Sequence, residues 1–350
     1  MENILINVLI VEDSRTQADF LTYLLNSDPN IRVVGIAHNG EDAIVSAIEL
    51  KPDVITMDLS LPKMNGFDAT RKIMETMPVP IVIVSASYDD RSVEDTFHAI
   101  EAGALAIVAK PTPKSLSAFD EAASNLIRTV KVMAEVKVVK RWPRKKQMPA
   151  VNPSKVDVKR GVGEVKIVAI GGSTGAPLVI QTILSLLPKD FPVPVLIVQH
   201  MATGFTEGFA QWLRTSTRFP VHLAKHGQEP LPGNAFVAPD GFHMRLERAG
   251  YIALTTDDPE EGVRPSVSYL FRSVRRCVGP NAIGVLLSGM GKDGAEELRL
   301  MKEEGAVTLV QDKETSVIYG MPGQAVLLEA ASHVLSPEMI AAALTNSCRK

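Results

Sequence analysis

This sequence of 350 residues predicts two α/β domains, each on a mainly parallel sheet, and three observations carry the prediction. Short β-branched apolar runs alternate with amphipathic helical stretches in the first third of the chain and again in its second half. Chemistry-bearing residues recur directly after those runs: Glu12-Asp13, Asp58, Ser85 and Lys110, then Ser173, His200 and Asp293. Between the two blocks lies a basic, Pro-punctuated stretch with little apolar periodicity, the composition of a solvated tether. The expected division is residues 1–125, a linker over 126–163, and residues 164–350.

Composition narrows the class but selects no partner. With 45% hydrophobic and 22% charged residues the chain is an ordinary globular protein, and a net charge of −3 is uninformative. Two cysteines, Cys277 and Cys348, are too few for a disulfide framework. No apolar run reaches the ~18 residues of a membrane helix. Residues 1–15, MENILINVLIVEDSR, lack the basic region and small-residue cleavage site of a secretory signal. A cytoplasmic protein without membrane insertion is the expectation.

In the first domain, the apolar strand 4–11 ends in Glu12-Asp13, and a helix follows over 15–26. Strand 31–37 and helix 40–50 lead to strand 54–57, which ends in Asp58. Strand 81–84 ends in Ser85, strand 105–109 in Lys110-Pro111, and a helix over about 117–132 closes the domain. Parallel strands joined by right-handed crossovers place their carboxyl ends along one crevice. Glu12, Asp13, Asp58, Ser85 and Lys110 therefore converge there. Each also fits an ordinary cap at a strand–helix junction; the grouping of all five is what points to a site. Three carboxylates together repel unless a cation neutralises them, and hard oxygen ligands suit Mg²⁺. Asp58 is then placed to attack a phosphoryl group, with Lys110 and Ser85 holding the phosphoryl oxygens.

The tether carries eleven Lys or Arg against three acids between Lys131 and Lys166. Its cluster KRWPRKK (140–146) could contact nucleic acid or anionic lipid. One short patch without a recognition fold reads as a linker, so no nucleic-acid partner is expected.

The second domain is organised around residues 165–176, VKIVAIGGSTGA, a buried strand, a Gly-bounded Ser-Thr-Gly turn and a helix start. A phosphate-cradling dinucleotide loop wants G-x-G-x-x-G and an acid about 20 residues on. Here the glycine spacing differs, and the next strand, 193–198, ends in Gln199-His200 with no carboxylate. Residues 235–238, 242–247 and 251–256 alternate with period two between turn signals and predict an antiparallel excursion at the sheet's edge. Strand 282–287 restores parallel character and leads to SGMGKDG (288–294), which contains Asp293; strand 306–311 and a helix near 337–347 follow. Ser, His and Asp at three strand ends suit a nucleophile, a base and an orienter. Singly, Asp293 also fits a cap of its following helix, and His200 a satisfied sheet-end histidine. Spacing alone leaves these alternatives open.

Two resemblances bear on the choice. MDLSLPKMNGFDA (57–69), with Glu12-Asp13, Ser85 and Lys110-Pro111, makes residues 1 to about 125 resemble a response-regulator receiver domain, which implies a flavodoxin-like fold and phosphorylation on Asp58 with bound Mg²⁺. The family's switch aromatic is replaced by Ile107. From about residue 165 onward, IGGSTGA, QHM (199–201), RPSVS (264–268), GMGKDG (289–294) and QD…YGMP (311–322) resemble the catalytic domain of the chemotaxis protein-glutamate methylesterase (CheB) family. That resemblance implies Ser173 as nucleophile, His200 as base, Asp293 as acid, and Thr174 and the backbone of Met290 as oxyanion stabilisers. It further implies chemoreceptor glutamyl methyl esters as substrate, glutamine deamidation as a side activity, and a chemotaxis histidine kinase as phosphodonor. Departures cluster beside the triad: GSTGA for ASTGG, HMA for HMP, and Ser268 where the family has an acid. His222 and His226 fit a polar loop, whereas His243, in a PDGFHM turn similar to a family segment, is a candidate cleft-lining residue. A non-catalytic receptor-binding module would lack a triad member, and a transcriptional regulator would carry a helix-turn-helix; neither feature matches.

Overall fold

The computed structural model describes residues 5–85, 97–111, 116–136, 138 and 164–348. The chain divides into two compact units, and the basic tether between them lies largely outside the described residues.

The first unit is a five-stranded parallel sheet in the order β2-β1-β3-β4-β5. Its strands are β1 (Ile6–Val11), β2 (Ile31–Ala37), β3 (Val54–Met57), β4 (Ile81–Ser85) and β5 (Ala106–Ala109). Helices α1 (Arg15–Asn26), α2 (Gly40–Leu50) and α3 (Gly66–Thr76) connect them, and α4 (Leu116–Ala134) closes the unit. Sequence chemistry sets the helix starts: Ser14, Asn39 and Asn65 each accept from a backbone N–H of their own first turn, satisfying one of the donors a helix leaves orphaned. Val8, Leu9, Ile10, Val54, Ile55, Ile81, Val82 and Ile83 are buried throughout, as strands covered on both faces require. One glycine fixes the crevice: a Cβ on Gly66 would lie 2.0 Å from the carbonyl oxygen of Asp58, so only Gly lets α3 begin against the β3 turn.

The second unit is a seven-stranded sheet in the order β14-β13-β12-β6-β7-β9-β8, parallel at every pairing. Its central strands are β6 (Ile167–Gly172), β7 (Val195–Gln199), β12 (Ala282–Leu286) and β13 (Val307–Gln311). The outer strands are β8 (Val221–Leu223), β9 (Ala235–Val237) and β14 (His333–Leu335). Helices are α5 (Ala176–Leu186), α6 (Thr206–Thr217), α7 (Val267–Val278), α8 (Ala295–Glu303), α9 (Met321–Leu327) and α10 (Pro337–Cys348). Alternate strand residues Ile167, Ala169, Leu196 and Val198 join Val267, Leu270, Phe271, Val274, Leu298, Met301 and Met321 in one core. Val168, Ile170, Val195 and Ile197 are equally buried but belong to the other face, so the sheet is covered twice.

The antiparallel prediction needs refinement. β10 (His243–Leu246) and β11 (Ile252–Thr255) form an antiparallel pair, but as a separate two-stranded sheet. Ala235–Val237 is instead a parallel strand between β7 and β8. All three of its residues are buried, and a run that short gives periodicity nothing with which to separate the two pairings.

Candidate active site

β6 is flanked by β12 on one side and β7 on the other. The turns leaving these three strands therefore lie side by side, and they carry Asp293, Ser173 and His200. Ser173 leaves the sheet at once: its N–H donates to the Ser288 carbonyl at 2.9 Å, tying the β6 turn to the β12 turn. A Cβ on Gly289 would lie 2.7 Å from Ser173 Cβ, so the glycine permits this approach. Gly175 takes φ +83° at the entry to α5, a conformation that favours Gly. Among the described residues, the N–H groups of Thr174 and Met290 donate to no protein acceptor.

His200 Nε2 lies 2.9 Å from Asp293 Oδ2. Asp293 does not cap its own helix. It turns instead to the start of α7, accepting from Val267 N at 2.7 Å, Ser268 N at 2.9 Å and Ser266 Oγ at 3.0 Å. Burial pushes its carboxyl up, but the hydrogen bond and charge of His200, with the hydrogen bonds of Ser268, more than offset that and hold its pKa at about 2. A carboxylate accepting several N–H groups at a helix N-terminus behaves this way. With Nε2 engaged, Nδ1 is the ring nitrogen left to exchange a proton. No hydrogen bond joins Ser173 Oγ to His200 among the described residues; such bonds commonly tighten only around a substrate.

His243 departs from expectation. It lines no cleft: it is fully buried, stacked on Tyr269 with ring centroids 4.4 Å apart. Its Nε2 meets the Asp258 carbonyl at 3.1 Å, and its Nδ1 accepts from Ser266 N at 3.2 Å. It thus supports the residue that supports Asp293. His222 lies in β8 rather than in a loop and pairs with Asn234 at 2.8 Å. Ser268, flagged as a departure beside the triad, accepts from Gly294 N at 2.8 Å through Oγ.

In the first unit, Glu12, Asp13 and Asp58 each offer a carboxylate oxygen within 4.8 Å of the others. Lys110 Nζ donates to Asp58 Oδ2 at 2.6 Å and lies 2.7 Å from Glu12 Oε2. The second contact is ionic without hydrogen-bond geometry, so Glu12 Oε2 is buried without a hydrogen-bond partner. Burial raises the Glu12 pKa, and Lys110 offsets this only in part. Burial alone would depress the Lys110 ammonium, yet Asp58 and Glu12 hold it above its ordinary value. Ser85 is buried at the end of β4; residues 86–96 lie outside the described part. Ile107 occupies β5 opposite Ile83.

The family profile described as CheB methylesterase matches residues 168–344, and that of the response regulator receiver domain matches residues 8–118. A protein named protein-glutamate methylesterase/protein-glutamine glutaminase from Nitrosospira multiformis is 53% identical over 343 residues, covering 98% of this chain and 97% of the relative. A like-named protein from Syntrophus aciditrophicus is 52% identical over 342 residues, with 97% of each covered. The chain belongs to the CheB methylesterase family. The crystal structure of the Thermotoga maritima CheB methylesterase catalytic domain superposes with a TM-score of 0.51 at 36% identity, covering 53% of this chain and 99% of that one.

Around the CheB-type turns, sequence reasoning left four buried residues without a role. Gln199 donates to the carbonyls of Ser173 and His200. Ser266 bonds Asp293. Ser288 Oγ donates to the Thr174 carbonyl at 2.7 Å, and Gln311 Oε1 accepts from Ser288 N at 2.8 Å. Gln199, Ser266 and Gln311 stood inside the quoted motifs, but motif membership does not say which atoms meet.

Proposed function

We propose that this chain is a receiver-regulated protein-glutamate methylesterase, a carboxylic ester hydrolase acting on glutamyl methyl esters of chemoreceptors and also deamidating receptor glutamines. The observation that carries this reading is the His200–Asp293 pair at 2.9 Å, reached from two strands that flank the one ending in Ser173.

In this mechanism Ser173 Oγ attacks the ester carbonyl while its proton passes to His200 Nδ1. Asp293, ionised at neutral pH because its pKa is held at about 2, fixes the ring through Nε2 and stabilises the imidazolium. The oxyanion takes the uncommitted N–H groups of Thr174 and Met290. Collapse expels methoxide, which leaves as methanol with the His200 proton. Water, deprotonated by His200, then cleaves the acyl-enzyme to glutamate and regenerates Ser173. A glutamine substrate follows the same course with ammonia leaving.

Regulation falls to the first unit, expected over residues 1–125 but closed by a helix that runs on to Ala134, and joined through the rest of the expected linker at 126–163 to the catalytic residues 164–350. Asp58 accepts a phosphoryl group from a chemotaxis histidine kinase, and Lys110 and Ser85 hold the phosphoryl oxygens. Mg²⁺ fits Glu12, Asp13 and Asp58: the donors are hard oxygens, and one from each lies within 4.8 Å of the others. Bound there, the cation would neutralise the carboxylates. No helix among the described residues is long and apolar enough to cross a membrane. The reading places the enzyme in the cytoplasm, without nucleic acid or membrane insertion.

The test is release of methanol from methyl-labelled receptor by the purified full chain, with and without Mg²⁺ and a small phosphodonor. Release that rises with the phosphodonor supports the reading. No release under either condition rejects it.

A further inference from the structure

Gln199 is the last residue of β7, at a position where β7 is otherwise Val-Leu-Ile-Val. It is buried, with 2% of its surface exposed. An amide there is costly unless its hydrogen bonds are made. Both of its protons are used: Nε2 donates to the Ser173 carbonyl at 2.8 Å and to the His200 carbonyl at 2.9 Å. Its Oε1 is left buried with no partner. The residue is thus kept for its donors, and those donors hold the two residues read above as nucleophile and base.

The ladder between β6 and β7 explains why a side chain is needed. Backbone pairing runs up to Gly172 opposite Gln199 and closes with His200 N donating to the Gly172 carbonyl at 2.9 Å. One residue later Ser173 turns away and gives its N–H to Ser288. From there the nucleophile is fastened to the β12 side, while His200 stays with β7. The Gln199 amide spans the gap and supplies the rung that the backbone has given up. Gly172 leaves room for it, since a Cβ there would lie 3.2 Å from Gln199 Oε1.

We infer that Gln199 is a positioning residue that sets the spacing of Ser173 and His200 by bridging their two carbonyls; this rests on the triad reading. Misplacing reacting groups by about an ångström costs about 100-fold in rate, without touching substrate binding.

The experiment uses the phosphodonor-treated full chain with methyl-labelled receptor, plus a fluorophosphonate probe that reports Ser173 nucleophilicity directly. Gln199→Met keeps the side chain's bulk and loses both donors. Gln199→Glu keeps the shape, presents oxygens to both carbonyls, and serves if the Met variant does not fold. The expected result is a kcat lower by about 10- to 100-fold with KM within about twofold. Fluorophosphonate labelling slows by the same factor, and the melting temperature of Gln199→Met stays within about 3 °C. Parent-like kcat and labelling in a folded variant overturn the inference, as does a loss confined to KM. Ser173→Ala run in parallel separates the two levels. If it still releases methanol, the triad reading fails; if it is dead while the Gln199 variants are normal, only the positioning role fails.

Discussion

Two buried carboxylates at strand ends, Glu12 in the first unit and Asp293 in the second, meet opposite fates. Glu12 accepts one backbone N–H, from Ser14 at 3.3 Å, and shares the Lys110 ammonium with Asp58. Burial wins, and its pKa rises. Asp293 is almost as deeply buried, yet accepts four hydrogen bonds, three of them from the first residues of α7 and its cap. There the donors win, and its pKa falls to about 2. Desolvation acts on both; the difference lies in their partners, since Asp293 has the hydrogen bond and charge of His200 and the bonds of Ser268, whereas the like charge of Asp58 works against Glu12. A site short of donors suits a cation brought from outside. A site saturated with them is ready to orient a histidine on its own.

The largest expected effect removes the chemistry of the second site. Ser173→Ala abolishes the covalent route and should lower methanol release by about 10⁴-fold or more while leaving the melting temperature near the parent value. Substantial release by the folded variant would move the nucleophile elsewhere. Asp293→Asn should cost about 10³-fold, because an amide cannot accept all four donors and leaves the His200 tautomer unfixed. A near-normal rate would reduce Asp293 to a brace for α7.

The contrast also predicts which unit responds to metal. Mg²⁺ at about 100 times its dissociation constant should stabilise the receiver unit by about 2.7 kcal/mol and leave the catalytic unit unmoved, read as two transitions in a thermal scan. Glu12→Gln should shrink the shift. Asp58→Asn should also abolish Mg²⁺-dependent labelling by a small phosphodonor; equal labelling of that variant would point to another acceptor.

Acid works in the other direction. Because the folded-state pKa of Asp293 is depressed, its contribution to stability is full above the ordinary aspartate value near 4 and is lost as pH falls through about 2. The loss should amount to about 2 kcal/mol. Asp293→Asn should flatten this part of the profile for the catalytic unit, and an unchanged acid profile would show that His200 and Ser268 do not favour the charged form.

Much of the fold was readable because each strand here is a short apolar run followed by a polar turn, so β1, β3, β6, β7 and β12 announce both their position and their cargo. Ala235–Val237 was not, since three buried residues fit parallel and antiparallel pairing alike. Within the site, residue types at strand ends pointed to Ser173, His200 and Asp293. The second layer stayed hidden for a different reason. Ser288 meets Thr174 across 114 positions and Asp293 meets Ser266 across 27, and no local period reports a contact made only by folding. His243 was misread for the same cause: its turn motif suggests exposure, while stacking on Tyr269 and the bond from Ser266 bury it.

Ser268 offers the finest test of the donor-count argument. Its N–H belongs to the set that charges Asp293, while its Oγ accepts from Gly294 N, the residue next to that carboxylate. Ser268→Ala keeps the first bond, loses the second and removes a side-chain contribution that helps hold the Asp293 carboxyl down, so the Asp293 turn loosens. A stability loss of about 1 kcal/mol with a small change in rate is expected. Ser268→Asp, which restores the acid seen in the family pattern, can accept the same Gly294 N–H but sets a second carboxylate beside Asp293. Like charge raises a neighbouring carboxyl's pKa, so the acid transition of the catalytic unit should move to higher pH while activity at neutral pH stays within about threefold of the parent. If the transition stays where it is in Ser268→Asp, the new carboxylate is solvated away from Asp293. The low pKa would then rest on His200 and the existing hydrogen bonds, and the contrast between Glu12 and Asp293 would stand as drawn.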